Sequence, residues 1–404
     1  MSMTAIASST TGQPIDKLQR LESELCSSLI EREEVIRAAI IALLARQHLV
    51  VLGPPGTAKS ALINELAQRI SPSNSAGLRS FNYLMTRFTA PEELFGPVSV
   101  SGLKQDEYRR VTTGRLVEAE LVFLDEIFKA SSAILNALLK VANERVFSNG
   151  NLEIQVPLIS LFGASNELPQ GNDLEALWDR FLLRMRVGYT SDSGFSKLIR
   201  AAASRRVANS NSQPINSTQP QTLLHSELIS LQQTVEQVSI SGTILDLIEQ
   251  LRKELKGKGI TISDRRWGQM LDVLQAHALL EGRDSVTEDD IAFLKHCLWQ
   301  TPEQQGEIGK VIARLGNPLN SKAIDLSDQA ASVYQDGMQA HKDADTNDKK
   351  IAAAIEANAK LKTIINKLQE LRGQALSQGR NTNRIEKAAE QVAKMREEFI
   401  NLAL

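Results

Sequence analysis

The stretch Val50-Val51-Leu52-Gly53-Pro54-Pro55-Gly56-Thr57-Ala58-Lys59-Ser60 decides how the rest of the chain is read. Apolar β-formers run into a Gly- and Pro-rich turn, and Ala-Leu-Ile-Asn-Glu-Leu-Ala follows as a helix. In that setting backbone N–H groups from Gly56 to Ala61 can converge on a phosphate chain, helped by the positive end of the helix dipole. Lys59 is placed to bridge the β- and γ-phosphates of ATP, and the Ser60 hydroxyl to bind Mg2+. Gly53, Gly56, Thr57, Ala58, Lys59, Ser60 and Ala61 are therefore the expected nucleotide contacts. The generic pattern has glycine at Ala58, a change that costs little if this residue has helical angles.

A second motif lies downstream. Leu121-Val122-Phe123-Leu124-Asp125-Glu126 is an apolar strand ending in two carboxylates, and strand carboxyl ends are where ligands bind in open α/β sheets. Neighbouring carboxylates at a strand end diverge, which suits two jobs: Asp125 on magnesium through water, Glu126 polarising an attacking water. Alone, such a strand end is more often a solvated acidic turn. Paired with the upstream loop it is a nucleotide site.

Working outward, residues 14–47 read as two helices, 48–52 as a short buried strand, 60–70 as a helix and 79–117 as strand-like or irregular. A strand at 121–124, a helix at 131–145, a strand at 158–164, a helix near 173–183 and a strand near 184–188 complete the alternation. That order predicts a parallel sheet with helices on both faces. The chain has 404 residues, more than one core usually supports, so several domains are expected. We divide it into a flexible N-terminus (1–14), an α/β core (15–204), a polar linker rich in Asn, Ser, Gln and Pro (205–222), an all-helical lid (223–300) and a helical extension (301–404).

The extension carries Ala354, Ala357, Leu361, Ile364, Leu368, Leu371 and Ala375 at alternating spacings of three and four. Ile385, Ala388, Val392, Met395, Phe399 and Leu402 repeat the pattern, which is a heptad seam. A break at 377–383 containing Gly379 predicts an antiparallel helical hairpin. A net charge of −2 offers no global field for nucleic acid or an anionic membrane. Cys26 and Cys297 read as reduced core residues, too few for a zinc cluster. The N-terminus lacks a basic start followed by an apolar run, and no window reaches the roughly 18 apolar residues of a membrane helix, so a cytoplasmic protein is expected.

LGPPGTAKS, LVFLDEI, ILNALLKVANER and GASNELP together resemble the MoxR group of AAA+ ATPases. LMTRFTAPEELFGP (84–97), ALWDRFLLR (176–184) and ISDRRW (262–267) are similar to its RavA branch, and the resemblance covers residues 15–300. It implies that Asn166, on the strand after the hairpin, is sensor 1. Arg180 resembles the finger that reaches a neighbouring subunit's ATP, with Arg184 the fallback. Arg265 resembles sensor 2, with Arg266 beside it, and Ile30 is implied as an adenine wall. Residues 98–116 and the hairpin 145–157 resemble pore-facing insertions, the latter with Asn149-Gly150 as a type I′ turn signal.

The resemblance further implies a homo-oligomeric, hexameric ring with a von Willebrand A domain partner and an unidentified protein substrate remodelled in a chaperone-like way. Its relatives include DNA helicases, but the insertions hold few basic residues, Lys104, Arg109, Arg110 and Arg145 among them. No nucleic acid is therefore expected. A nucleotide-dependent scaffold built on the heptad tail is the third reading. The RavA branch carries a small domain after its lid that contacts an amino-acid decarboxylase, and 301–404 reads as helices alone, without that counterpart.

Overall fold

The apolar runs Leu49–Leu52, Leu121–Asp125 and Ser160–Ser165 have no side left for water, and they become the three central strands of a sheet. The computed structural model describes residues 7–70, 78–192, 194–200, 222–316, 318–344, 346–377 and 382–403. The first part of the chain runs α1 (Ala7–Ser28), α2 (Glu33–Leu44), β1 (Leu49–Leu52), α3 (Lys59–Arg69), β2 (Ser80–Leu84), α4 (Pro91–Phe95), α5 (Val100–Leu103) and β3 (Leu121–Asp125). There follow α6 (Ser132–Glu144), β4 (Val146–Asn149), β5 (Leu152–Gln155), β6 (Ser160–Ser165), α7 (Asn172–Arg180) and β7 (Leu183–Arg186). Then come α8 (His225–Val235), α9 (Gly242–Gly257), α10 (Asp264–Leu280), α11 (Lys295–Leu298), α12 (Gln304–Gly316), α13 (Pro318–Asp343), α14 (Asn347–Ser377) and α15 (Asn383–Ala403). Residues 205–221 of the polar linker, 1–6 of the N-terminus and 378–381 of the tail break lie outside the described residues.

Two compact units are present, one made of residues 1–242 and 261–299, the other of 243–260 and 300–404. In the first, the strand order is β2-β3-β6-β1-β7 and every pairing is parallel. The α/β core and the helices after it match the expected fold class. Helix α2 buries residues all around, from Val35 and Ile36 through Ala38–Leu44, as a helix sandwiched in a core must. Cys297 is buried and Cys26 half-buried, both as free thiols. Among the described residues no helix is long and apolar enough to cross a membrane.

The hairpin β4–β5 forms, one residue out of the expected turn register. Asn149 pairs with Leu152, so the loop residues are Gly150 and Asn151, and of these only Gly150 has positive φ. A type I′ turn needs both, so the pattern is that of type II′ with glycine first. The reason is Asn149 itself: its amide accepts from the Arg110 N–H at 2.6 Å and donates to the Arg110 carbonyl at 3.1 Å. A side chain at Gly150 would collide with the Tyr108 carbonyl. The hairpin and the 98–116 insertion are thus stitched together.

In the second unit the heptad seam is buried as expected from Ala354 to Phe399, with Met395 half-buried. Leu402, the last seam position, is exposed where α15 ends. The tail is more than a hairpin: α13 adds Leu319, Ala323 and Ala330 to the same core, making three helices around one seam. Alanines let α13 approach closely but leave little hydrophobic period, so the place of this helix on the seam is nearly silent in the sequence. Gly337 marks the tightest point, where a Cβ would lie 2.7 Å from the Ala357 Cβ and 2.8 Å from Phe399 Cζ. Gly337→Leu should therefore overpack the seam, costing about 1–3 kcal/mol. The check is amide hydrogen exchange, in which peptides from α13 to α15 lose that much protection while peptides from β1 and β6 keep theirs.

Candidate functional site

Because β6 lies between β1 and β3, three carboxyl ends stand side by side: β1 leads into Gly53, β3 ends at Asp125, and β6 leads into Asn166. The Gly53 N–H donates to the Ser165 carbonyl at 3.0 Å, fixing the start of the glycine-rich turn against β6. Glycine is required there, since a Cβ would strike the Val187 carbonyl after β7. The turn closes on itself: Lys59 Nζ donates to the carbonyls of Gly53 at 2.8 Å and Pro54 at 3.0 Å, and Thr57 Oγ1 to Pro54 at 2.8 Å. Burial pulls the Lys59 ammonium below the usual lysine range, while Asp125 and Glu126 oppose that shift.

Ser60 Oγ donates to Asp125 Oδ2 at 2.7 Å, bringing the two motifs into direct contact. A hydroxyl and a carboxylate oxygen at that separation are the hard donors magnesium takes, so the residues fit the ion. Asp125 Oδ1 also accepts the Glu126 N–H at 3.0 Å. Glu126 itself has left-handed angles, φ 53 and ψ 41, a conformation uncommon outside glycine. Its Oε2 faces Lys129 Nζ at 3.3 Å.

Asn166 is exposed and sits just past β6 rather than on it. Ala58 has φ 63 and ψ 23, so it is left-handed rather than helical in the ordinary sense, the conformation that explains glycine in the generic pattern. Ala61 is exposed on the first turn of α3, and Ile30 is half-buried in the turn before α2.

The two arginine pairs separate by burial. Arg184 is fully buried and donates to the carbonyls of Phe181 at 3.0 Å, Trp178 at 2.9 Å and Trp299, its guanidinium 4.3 Å over the Trp178 ring. Arg266, also fully buried, donates to the Leu182 carbonyl at 3.2 Å and the Cys297 carbonyl, and lies 3.5 Å from Asp179. Desolvation pushes both guanidiniums down, Arg184 strongly. Arg180 and Arg265 are the outward members: Arg180 is half-buried with Nη1 3.6 Å from Asp179, and Arg265 is exposed. A side chain wholly enclosed with its donors engaged has no reach, so Arg184 is unsuited to extend toward a neighbouring subunit.

Two residues escaped the sequence reading. Arg32 is buried beside the turn and bonds to its Thr57 carbonyl; the available signal was a charged residue at a helix N-cap, where small polar residues are favoured. Lys129 stands one helical turn after Glu126, a spacing that by itself is ordinary surface pairing. Arg145, counted above with the second insertion, turns back instead to cap α6 at the Ala142 carbonyl and reaches the Arg46 carbonyl at 3.1 Å.

Two expectations about stability follow. Ala58→Gly should relieve the left-handed strain and raise stability by about 0.5–1 kcal/mol, read from the urea midpoint; a lower midpoint would show the turn is unstrained. Arg184→Ala should cost about 3–5 kcal/mol by orphaning buried carbonyls, while Arg180→Ala should stay within about 0.5 kcal/mol, both measured in the same melts.

Comparison with known proteins agrees with this architecture. The profile describing the MoxR domain in the MoxR-vWA-beta-propeller ternary systems matches residues 16–232, and an AAA lid domain profile matches 243–312. An uncharacterized protein of Methanocaldococcus jannaschii is 36% identical over 95% of this chain and 96% of its own length. Chaperone MoxR1 of Mycobacterium tuberculosis is 25% identical over 44% of this chain and 46% of that protein. The crystal structure of a candidate ATPase from Cytophaga hutchinsonii superposes with a TM-score of 0.59 at 20% identity, covering 77% of this chain and 97% of the other. With its core profile spanning more than half the sequence, the chain belongs to the MoxR-type AAA+ ATPases.

Proposed function

We propose that this chain hydrolyses ATP with magnesium and uses the cycle to remodel a protein or metalloprotein complex. The observation that carries the reading is the 2.7 Å contact between Ser60 and Asp125, with Lys59 and Glu126 alongside. Lys59 neutralises the β- and γ-phosphates, and backbone N–H groups from Gly56 to Ala61 cradle them, with Gly53, Thr57 and Ala58 shaping the turn. Ser60 and Asp125 would hold magnesium, which would offset negative charge on the phosphate oxygens. Glu126 polarises the attacking water, Asn166 orients it, and Arg265 meets the nucleotide from α10. Ile30 forms one wall for the adenine.

Arg180 completes the site of a neighbouring copy, which makes a closed ring, a hexamer in this reading, the active form. Its outward position beside enclosed Arg184 supports that choice. A von Willebrand A domain protein is the proposed partner, since the matching core profile is described in systems that contain one. The likeness to Chaperone MoxR1 supports a chaperone-like activity. Residues 84–97, 176–184 and 262–267 support a finer reading within that family, a likeness to the RavA branch.

A nucleic-acid motor is disfavoured by the few basic residues of the insertions, of which Arg110 bonds Glu92 at 3.2 Å and the Gly96 carbonyl at 2.9 Å and Arg145 caps the end of α6, leaving Lys104 and Arg109 exposed. Glu126→Gln should keep ATP binding and lower turnover by about 10²-fold or more. Arg180→Ala should be comparably slow alone. Mixing the two variants should restore part of the turnover, because an Arg180→Ala subunit next to a Glu126→Gln subunit has an intact Glu126 and a donated arginine. Absence of recovery on mixing, with both variants assembled, would overturn action between subunits.

A further inference from the structure

We propose that Arg32 is a positioning residue that ties the wall receiving the nucleotide base to the loop receiving its phosphates, so that neither is set without the other. The side chain is 8% exposed and spans three segments. Its Nε donates to the Thr57 carbonyl in the glycine-rich turn at 3.1 Å, its Nη2 to the Gly188 carbonyl after β7 at 2.8 Å, and its Nη1 to the carbonyl of Glu31 at 2.6 Å. Charge-assisted bonds to three carbonyls, each from a different nitrogen, use the fork geometry that only arginine has.

The segments it joins are the ones that frame the proposed site. Thr57 precedes Ala58 and Lys59, so its carbonyl orientation sets the peptide plane leading into the strained residue. Ile30 lies in the turn that Arg32 closes, and Glu31 in that turn has φ 58. The Glu31 carboxylate accepts the Ser191 N–H at 2.8 Å and also the Ser191 hydroxyl, which hooks the turn to the strand exit a second time. Val187, one residue before Gly188, is the residue that Gly53 must clear. One guanidinium therefore holds the turn at 30–32, the exit at 187–191 and the phosphate turn in a single arrangement. A shift of the base-side wall is carried to the Thr57 carbonyl through one side chain rather than through the sheet.

The inference rests on the nucleotide reading above, and the test separates the two. Full-length wild type, Arg32→Ala and Arg32→Lys are compared for Mg-ATP binding, Mg-tripolyphosphate binding and steady-state turnover, with thermal melting to show that each is folded. In wild type ATP binds more tightly than tripolyphosphate. In Arg32→Ala the KM and Kd for ATP rise about 10- to 100-fold, the size expected when charge-assisted hydrogen bonds are lost, while kcat falls less than about 3-fold. The preference for ATP over tripolyphosphate collapses in parallel. Arg32→Lys keeps the charge but not the fork, and it behaves like Arg32→Ala. Recovery of ATP affinity in Arg32→Lys would overturn the inference in favour of simple charge. Equal weakening of both ligands would overturn it in favour of local support of the turn. If Arg32→Ala does not fold, Arg32→Gln, with a single amide donor, is read by the same criteria. A wild type that binds no Mg-ATP would remove the nucleotide reading itself.

Discussion

Parallel pairing of β6 with β1 on one side and β3 on the other forces three carboxyl ends to a common edge, and the chemistry of the core follows from that constraint. Were β1 and β3 direct neighbours, the turn after Leu52 and the acids after Leu124 would sit one strand spacing apart, roughly 4.8 Å, with no room between them. The inserted strand opens that gap, and Ser60 closes it from the first turn of α3, reaching Asp125 at 2.7 Å. Three apolar strands with no polar alternation can be stable only when covered on both faces, which is why α2 is buried almost completely. The same burial that stabilises the sheet pushes polar groups toward strand ends, the carboxyl edge among them.

Charge in this protein is partitioned by depth. Arg184 and Arg266 lie in the interior and spend their donors on the carbonyls of Trp178 in α7, of Phe181 and Leu182 between α7 and β7, and of Cys297 and Trp299, with Asp179 the neighbouring carboxylate. Guanidinium groups tolerate this because their five donors can be met by backbone acceptors, whereas a lysine ammonium would leave a compact, strongly hydrated charge unsolvated. Each buried arginine has an outward counterpart nearby, Arg180 and Arg265, and these repel each other enough that Arg180 lowers the Arg265 pKa after desolvation. An anion approaching between them would relieve that repulsion. The interior pair fixes the scaffold on which the outward pair is displayed.

Much of this was legible beforehand because it depends on period and punctuation. The strand before Gly53, the acids after Leu124 and the tail seam are all short-range patterns that local physics enforces. What was hidden depends on which of two adjacent, chemically equal residues faces inward. Arg180 and Arg184 differ by one helical turn plus a bend at Phe181, and Arg265 and Arg266 by one position, so only the packed geometry separates them. The hairpin slipped by one residue because Asn149, a good turn former, is held by the Arg110 backbone instead. The part that helix α13 takes in the seam escaped because alanine and Gly337 pack by closeness rather than by bulk. Arg32 escaped because a buried arginine serving three carbonyls leaves no motif at all.

The stitching of Asn149 to Arg110 bears on what the two insertions can do. A β-hairpin of two short strands is marginal alone in water. Here the hairpin is braced at its turn by two hydrogen bonds to the 98–116 segment, and Gly150 presses against Tyr108. The two insertions therefore move as one body. Their other arginine contacts, Arg110 to Glu92 and to the Gly96 carbonyl, anchor that body to the end of α4. Lys104 and Arg109 stay exposed on this body, together with Val100, Leu103, Tyr108 and Leu152. Such a face offers apolar contact area beside two exposed cations. The same hydrogen bonds that brace the hairpin thus hold these exposed side chains on a single body.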